Sequence, residues 1–316
     1  MRRVALIYNP ASGQYSSKRA ALVGKVLAIL RKAGVEADAL ETNAPGSART
    51  LTKAAVLNRY DTIFACGGDG TVHEVLQCLV GTEVALGVVP LGTANALAQN
   101  LGLGNSPVKA ARALLTAVPT PVPVGRIFYR DNTGVERSRY FTVAAGIGAD
   151  ALLMSRLDAE LKRRLGYALY LIEAFLVWAT NPFPLFEAAF EITESSDSRV
   201  EQVSQLLAVR VRSFGGVLGK LAPGATLHNH TLSLMAFKTR SRWRYLQFLL
   251  AVIAGRHTFS KDVELLEALS VDCRTRNGSR ATVHVEADGE VLGKLPARIE
   301  VAPQTLTLLI PPNAQP

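Results

Sequence analysis

The chain has 316 residues, 48% of them hydrophobic and 19% charged, and its 35 Lys and Arg outnumber 26 Asp and Glu for a formal net charge of +9. That length exceeds the usual single-core size and predicts two domains, each with enough apolar content for its own core. The positive balance favours an anionic partner, either nucleotide phosphates or acidic lipid headgroups; with no RNA-recognition signature, zinc-finger spacing or arginine-rich tail, nucleic acid is set aside.

Met1-Arg2-Arg3 and the apolar run Val4–Tyr8 read as a strand opening, without the long apolar region and cleavage site of a signal peptide. A helical pattern over Lys18–Ala33 stops at Gly34, a second strand follows at Val35–Leu40, and Pro45 opens a helix over Ser47–Asn58. Thr62–Cys66 and Val84–Val89 complete four strands alternating with helices, the rhythm of a doubly wound α/β parallel sheet over residues 1–122. From about Val122 the pattern turns to alternating or β-branched runs: Arg139–Ala144, Val203–Val211, Thr231–Phe237, Ala281–Val285 and Thr305–Leu309. These predict a mainly antiparallel β-sandwich over 123–302, with helical stretches at Ala151–Ala179 and Arg242–Ala254 and an exposed loop at Thr193–Arg199. Residues 303–316 are expected to pack back on the first domain. The longest apolar stretches, near Tyr167–Ala179 and Tyr245–Ala254, are interrupted by Glu173 or Gln247 and fall short of the ~20 residues a spanning helix needs. Cys66, Cys78 and Cys273 have no metal-ligand spacing and fit a reducing cytoplasm.

The strongest chemical signal is Gly67-Gly68-Asp69-Gly70-Thr71, directly after an apolar strand and directly before the helical run Val72–Val80. Glycines there let the backbone turn sharply and bring N–H groups close to phosphate oxygens, and the helix start adds partial positive charge. Thr71 followed by Glu74 reads as a capping box for that helix. Asp69 has two plausible jobs, taking the proton of an attacking hydroxyl or holding magnesium against the transferring phosphate. Asn9-Pro10-Ala11-Ser12-Gly13 ends strand one and Gly92-Thr93-Ala94-Asn95 ends strand four, with Thr93 or Asn95 able to cap the next helix. Three polar glycine turns at carboxyl ends of one parallel sheet converge on one crevice, to which Thr42 adds a fourth contributor. Asp288-Gly289-Glu290 lies far downstream, where Asp-Gly is equally a short hairpin turn.

These four segments, in this order and at these separations, resemble the diacylglycerol kinase catalytic family, which includes bacterial diacylglycerol kinases and eukaryotic sphingosine and ceramide kinases. The resemblance spans nearly the whole chain. It implies a lipid kinase that uses ATP and magnesium to phosphorylate a lipid hydroxyl at a membrane surface. Carried onto matching positions, it implies nucleotide contacts at Asn9, Ser12, Thr42, Gly68, Gly70, Thr71, Thr93 and Asn95, a set that Gly67 and Glu74 join. It makes Asp69, Asp288 and Glu290 the acidic catalytic set, the last two also candidate magnesium ligands. Gly146-Ile147-Gly148-Ala149-Asp150 resembles a family segment whose acid holds the lipid headgroup, although Asp150 is equally placed as a helix cap. Lys162-Arg163-Arg164 resembles the basic stretch that follows it.

One departure stands out. Bacterial relatives often carry paired aspartates after an Ala-Pro turn, thought to hold a structural magnesium, whereas here Ala222-Pro223-Gly224-Ala225-Thr226-Leu227 runs into His228-Asn229-His230. Hard cations prefer carboxylate oxygens, so that second metal is not expected and the histidines read as a loop end. The segment Lys238–His257 mixes five basic residues with Trp243, Tyr245 and Phe248, a composition suited to an acidic membrane surface and equally to packing on the sandwich. An NAD-kinase or phosphofructokinase-like enzyme and a non-catalytic nucleotide- or lipid-binding protein are the alternatives. Which lipid is used, and whether the chain forms a homodimer, is left open by the sequence.

Overall fold

The computed structural model describes residues 1–10, 19–157, 167–192, 198–212, 224–253, 262–276, 278 and 281–314. The chain divides into two compact units, Met1–Val124 with Pro303–Pro316, and Gly125–Ala302.

The first unit contains β1 (Arg3–Tyr8), α1 (Arg19–Lys32), β2 (Glu36–Glu41), α2 (Ser47–Leu57), β3 (Thr62–Gly67), α3 (Asp69–Leu76), β4 (Ala85–Pro90), α4 (Ala96–Asn100) and α5 (Pro107–Leu114). The strands run parallel in the order β4-β3-β1-β2, and Leu308 near the C-terminus pairs parallel with Leu86 on the outer side of β4. Every residue of β3 and β4 is buried, as expected of strands covered on both faces by crossover helices. Edge strand β2 instead buries Ala37 alone, its other positions being half-buried or exposed. Helix α1 buries Arg19, Val23, Val26 and Leu30, a stripe at helical spacing. It stops where Gly34 takes φ +80°, with Gly34 N–H donating to Arg31 O and Val35 N–H to Leu30 O, both at 3.0 Å. The parallel direction brings the carboxyl ends of all four strands to one edge, which fixes where the polar turns emerge.

The second unit contains β6 (Glu136–Phe141), β7 (Ala144–Gly148), α6 (Ala149–Arg156), α7 (Tyr167–Thr180), β8 (Phe186–Glu191), β9 (Ser198–Val203), β10 (Gln205–Val209), β11 (Leu232–Phe237), α8 (Arg242–Ile253), β12 (Val263–Ala268), β13 (Ser270–Thr275) and β14 (His284–Ala287). Strands β5 (Val118–Arg130) and β15 (Glu290–Ile310) span the unit boundaries. Its described pairings are antiparallel, running β12-β11-β10-β7-β14-β15, with β8 joining β13 to β9. Phe141, Phe186, Phe190, Val271, Val285 and Ile299 fill its core, each large side chain contributing about 1.5–3 kcal/mol through burial.

Three local expectations change. The helical stretch over Ala151–Ala179 is two helices, α6 and α7, and the intervening 158–166, which hold the basic stretch Lys162-Arg163-Arg164, lie outside the described residues. The expected loop at Thr193–Arg199 falls on 193–197, also outside them, but Ser198 and Arg199 belong to β9, where they pair with Glu191 and Phe190. The Arg199 guanidinium is held there between Glu201 and Glu264. The expected strand Arg139–Ala144 breaks after Phe141, because the amides of Thr142, Val143 and Ala144 turn to a carboxylate instead of a neighbouring strand. Among the described residues no helix is long and apolar enough to cross a membrane.

Candidate active site

Two glycine turns at the carboxyl edge of the first unit's sheet cross each other backbone to backbone. A Cβ on Gly68 would sit 3.2 Å from the Gly92 Cα, and one on Gly92 would overlap the Gly68 Cα. Only glycine at both positions permits this approach, so the turns after β3 and β4 form one piece. Asp69 locks them: its Oδ2 accepts from Asn95 N–H at 3.0 Å and its Oδ1 from Ala96 N–H at 2.8 Å. The Asn95 side chain closes its own turn, Oδ1 accepting from Gly92 N–H at 2.9 Å and Nδ2 donating to Gly92 O at 3.0 Å, with its backbone left-handed at φ +50°. Gly67 is needed because the Thr71 side chain occupies the space a Cβ would take.

Arg19 completes this edge. Its fully buried guanidinium donates to Asn9 O at 2.7 Å and Leu91 O at 3.1 Å, joining the ends of β1 and β4. Thr42 is buried at the end of β2, its N–H on Tyr8 O at 2.9 Å. Gly70 is partly exposed and Thr93 exposed beside the crossing, while Ser12 lies outside the described residues.

The capping-box expectation is corrected. Helix α3 starts at Asp69 with Gly68 as its cap and no side-chain capping bond, so Thr71 already lies inside the helix. Glu74 serves a different helix: its carboxylate accepts from Gly46 N–H at 2.8 Å and Ala48 N–H at 3.1 Å, which neutralises the amino end of α2.

In the second unit, Asp288 and Gly289 have φ +49° and +83° and join β14 to β15 as a two-residue hairpin of the type-I′ kind. The Asp288 carboxylate accepts from the N–H groups of Thr142 (3.0 Å), Val143 (2.8 Å) and Ala144 (3.1 Å), and from the Thr142 hydroxyl at 3.4 Å. Glu290 is exposed on the first residue of β15. Behind the turn lies an acid pair. Asp150, in the first turn of α6, hydrogen-bonds Glu286, which is 3% exposed and also accepts from Gly289 N–H at 2.8 Å. A Cβ on Gly146 would lie 2.7 Å from Asp150 Oδ2 and from Glu286 Oε1, so the glycine makes room for both. Burial pushes the Asp150 carboxyl up to about 6. Burial and then the Asp150 charge push Glu286 well above the carboxylate range, so the pair shares a proton.

The matches to known families fall on these same segments. Residues 3–127 match the diacylglycerol kinase catalytic domain, and residues 142–310 match the YegS C-terminal NAD kinase beta sandwich-like domain. The chain belongs to the diacylglycerol kinase family. It is 28% identical over 299 residues to a diacylglycerol kinase of Bacillus subtilis, covering 94% of this chain and 92% of that one. It is likewise 28% identical over 312 residues to a diacylglycerol kinase of Mycobacterium tuberculosis, covering 98% and 95%. Among solved structures, a diacylglycerol kinase of Bacillus anthracis superposes with a TM-score of 0.68 at 18% identity, covering 99% of this chain and 98% of that one. Yeast NADH kinase in complex with NADH gives 0.52 at 11% identity, covering 98% and 83%. At these identities the two structures speak for the fold alone.

In this family member the predicted residues Gly67, Gly68, Asp69, Thr71 and Asn95 come together at one turn crossing. Asp150, Asp288 and Glu290 belong to the second unit. Arg19 and Glu286 were missed. The signal for Arg19 was a basic side chain on the apolar stripe of α1. For Glu286 it was an acid within the run His284–Ala287, otherwise rich in apolar residues.

Two expectations follow. Gly92→Ala should cost about 1–3 kcal/mol or more by forcing the two turns apart, read as a fall in melting temperature that an alanine at exposed Thr93 does not produce. Asp150 has a folded value of about 6 against an ordinary 3.8, so its stabilising contribution is complete below 3.8 and is lost as pH rises through 6. Asp150→Asn should therefore flatten the decline in melting temperature that the parent shows across that window.

Proposed function

We propose that this chain is an ATP-dependent lipid kinase that transfers the γ-phosphate of magnesium-bound ATP to the hydroxyl of diacylglycerol, a sphingoid base or a related lipid. The observation that carries this reading is the Gly68–Gly92 crossing, which presents backbone of two turns and the start of α3 at the carboxyl edge of a parallel sheet, where phosphates bind. Gly68, Gly70, Thr71 and Thr93 then contact the triphosphate, and Asn9, Thr42 and Asn95 bound the nucleotide. Asp69 acts by keeping the two turns at a fixed spacing, since both of its oxygens take backbone amides.

Phosphoryl transfer asks the protein mainly for positioning and charge. Asp288 accepts four hydrogen bonds, which fills the acceptor sites of a carboxylate, so its contribution is fixed negative charge and the geometry of its turn. Glu290 is exposed, and among the described residues no group donates to its carboxylate; it is the member of the acidic set open to a proton or to magnesium. Magnesium keeps most of its waters and needs only one or two carboxylates besides the phosphates, which this set can supply. When bound, it offsets charge that develops on the transferred group. Asp150, beside the turn, takes a polar group of the lipid.

The test is to incubate purified protein with labelled ATP, magnesium and a total lipid extract, and to identify the labelled product. A labelled lipid is expected, with Glu290→Gln at least ~100-fold slower, a typical cost of losing a general base. Full activity in Glu290→Gln together with loss in Asp288→Asn would move the proton-accepting role to Asp288. Phosphorylation of NAD without any lipid product would replace the reading.

A lipid kinase also has to meet a bilayer. On α7 the side chains of Ile172, Phe175 and Leu176 are exposed at helical spacing, Phe175 by 61%. On α8, Trp243 is 63% exposed and Leu250 is exposed too, with Trp178 and Trp243 in edge contact at 5.4 Å. The exposed Arg240 and Arg242 flank this apolar ridge, an arrangement suited to an anionic interface. Co-sedimentation with phosphatidylglycerol-containing vesicles should exceed that with phosphatidylcholine alone. Phe175→Glu with Trp243→Ala should reduce it by ~10-fold or more, from the apolar area lost; undiminished binding would place the contact elsewhere.

A further inference from the structure

Arg210 follows β10 and is 1% exposed, a buried guanidinium that the phosphoryl-transfer reading does not use. Its Nη1 donates to Thr231 O at 3.1 Å, and its Nη2 donates to Leu227 O at 3.1 Å and Asn229 O at 2.8 Å. Three carbonyls at alternate positions of one loop thus point at one cation. The segment Gly224–Thr231 contains no carboxylate, and both of its histidines, His228 and His230, are exposed. Within the loop Asn229 N–H donates to Thr226 O at 3.1 Å and Asn229 Nδ2 to Gly224 O at 3.2 Å, and at its end the Thr231 hydroxyl donates to the Glu267 carboxylate at 3.0 Å.

Burying a guanidinium costs several kcal/mol unless its N–H groups are met, and burial lowers this one to about 10, which leaves it charged at neutral pH. Carbonyl dipoles converging on the positive centre provide that compensation, in the planar fork that arginine alone presents. The same carbonyls do not fit a divalent metal. A hard cation requires oxygens at about 2.0–2.6 Å with carboxylates among them. Here they stand at hydrogen-bonding distance from nitrogen, the loop has no acid of its own, and the Glu267 carboxylate beside it takes the Thr231 hydroxyl. The main chain ties this arrangement to the acidic turn: Arg210 N–H donates to Val143 O at 2.9 Å, and Val143 N–H donates to Asp288.

We propose that the Arg210 guanidinium is the resident cation of the 224–231 loop, organising it in place of a bound metal and, through Val143, positioning the segment that receives Asp288. The second unit then carries its loop-ordering charge as a side chain and keeps that order whatever the divalent-ion supply.

The experiment measures thermal melting of the full chain without nucleotide or lipid, so its outcome does not depend on the lipid-kinase reading. Melting of the parent protein should be unchanged by EDTA; a fall of several degrees that magnesium or calcium reverses would overturn the proposal. Arg210→Ala should melt lower by on the order of 10 °C. Millimolar guanidinium or methylguanidinium should restore part of that loss, while magnesium and sodium chloride at matched ionic strength should not. Restoration by magnesium, or none by guanidinium, counts against it. Should the alanine variant fail to fold, Arg210→Met, which keeps the bulk and removes the charge, decides the matter: melting at the parent temperature refutes the role of the cation.

Discussion

Two stretches of main chain can touch at Gly68 and Gly92 only because neither residue has a side chain, and the first unit's site is arranged around that contact. The crossing puts the turn after β3 against the turn after β4. Asp69 then has a neighbour it can reach and caps the first amides of α4, Asn95 closes the loop that makes those amides available, and Arg19 pins the ends of β1 and β4 from beneath. Remove the contact and each of these bonds loses the geometry it needs. The cost of holding a buried arginine and a left-handed asparagine is offset by the satisfaction of main-chain groups that would otherwise end in solvent-poor turns.

A common principle runs through both units: acids in and beside the motifs are spent on backbone amides, for Asp69, Glu74 and Asp288 far away in sequence and for Glu286 within its own turn. Asp69 caps α4, Glu74 caps α2, Asp288 gathers three consecutive amides, and Glu286 takes the amide of Gly289 while sharing a proton with Asp150. A carboxylate with two or more amide donors is stiff and stays in place, a useful property where charge must meet a transferring phosphate without reorganisation. Among the described residues, no amide tethers the exposed Glu290 in this way.

Much of the first unit was legible along the chain. The strands β1, β3 and β4 announce themselves because a strand buried on both faces must be apolar throughout, and Gly34 marks a helix end because its left-handed turn excludes most side chains. Helix α5, with Ser106 capping Lys109 N–H and Pro107 in its first turn, carried an equally local signal that was passed over. The second unit was less legible. Antiparallel strands with one half-covered face share their alternating pattern with loops, so Ser198 and Arg199 read as polar loop until Phe190 and Glu191 are found beside them. Thr142 and Val143 likewise look like strand, and only Asp288, some 145 positions away, shows why the strand stops.

What the sequence determined by itself is the family, the two-part fold class and the identity of the motif residues, since each is written in contiguous segments whose local chemistry is self-sufficient. What only tertiary structure decided is the use to which those residues are put. Glu74 belongs to α2 and not to its own helix, Glu286 and Asp150 share a proton, and Arg210 serves three carbonyls of a later loop. Each of these pairings joins groups distant along the chain, and a hydrogen bond's partner is set by distances of about 3 Å in space, a quantity that sequence separation does not encode.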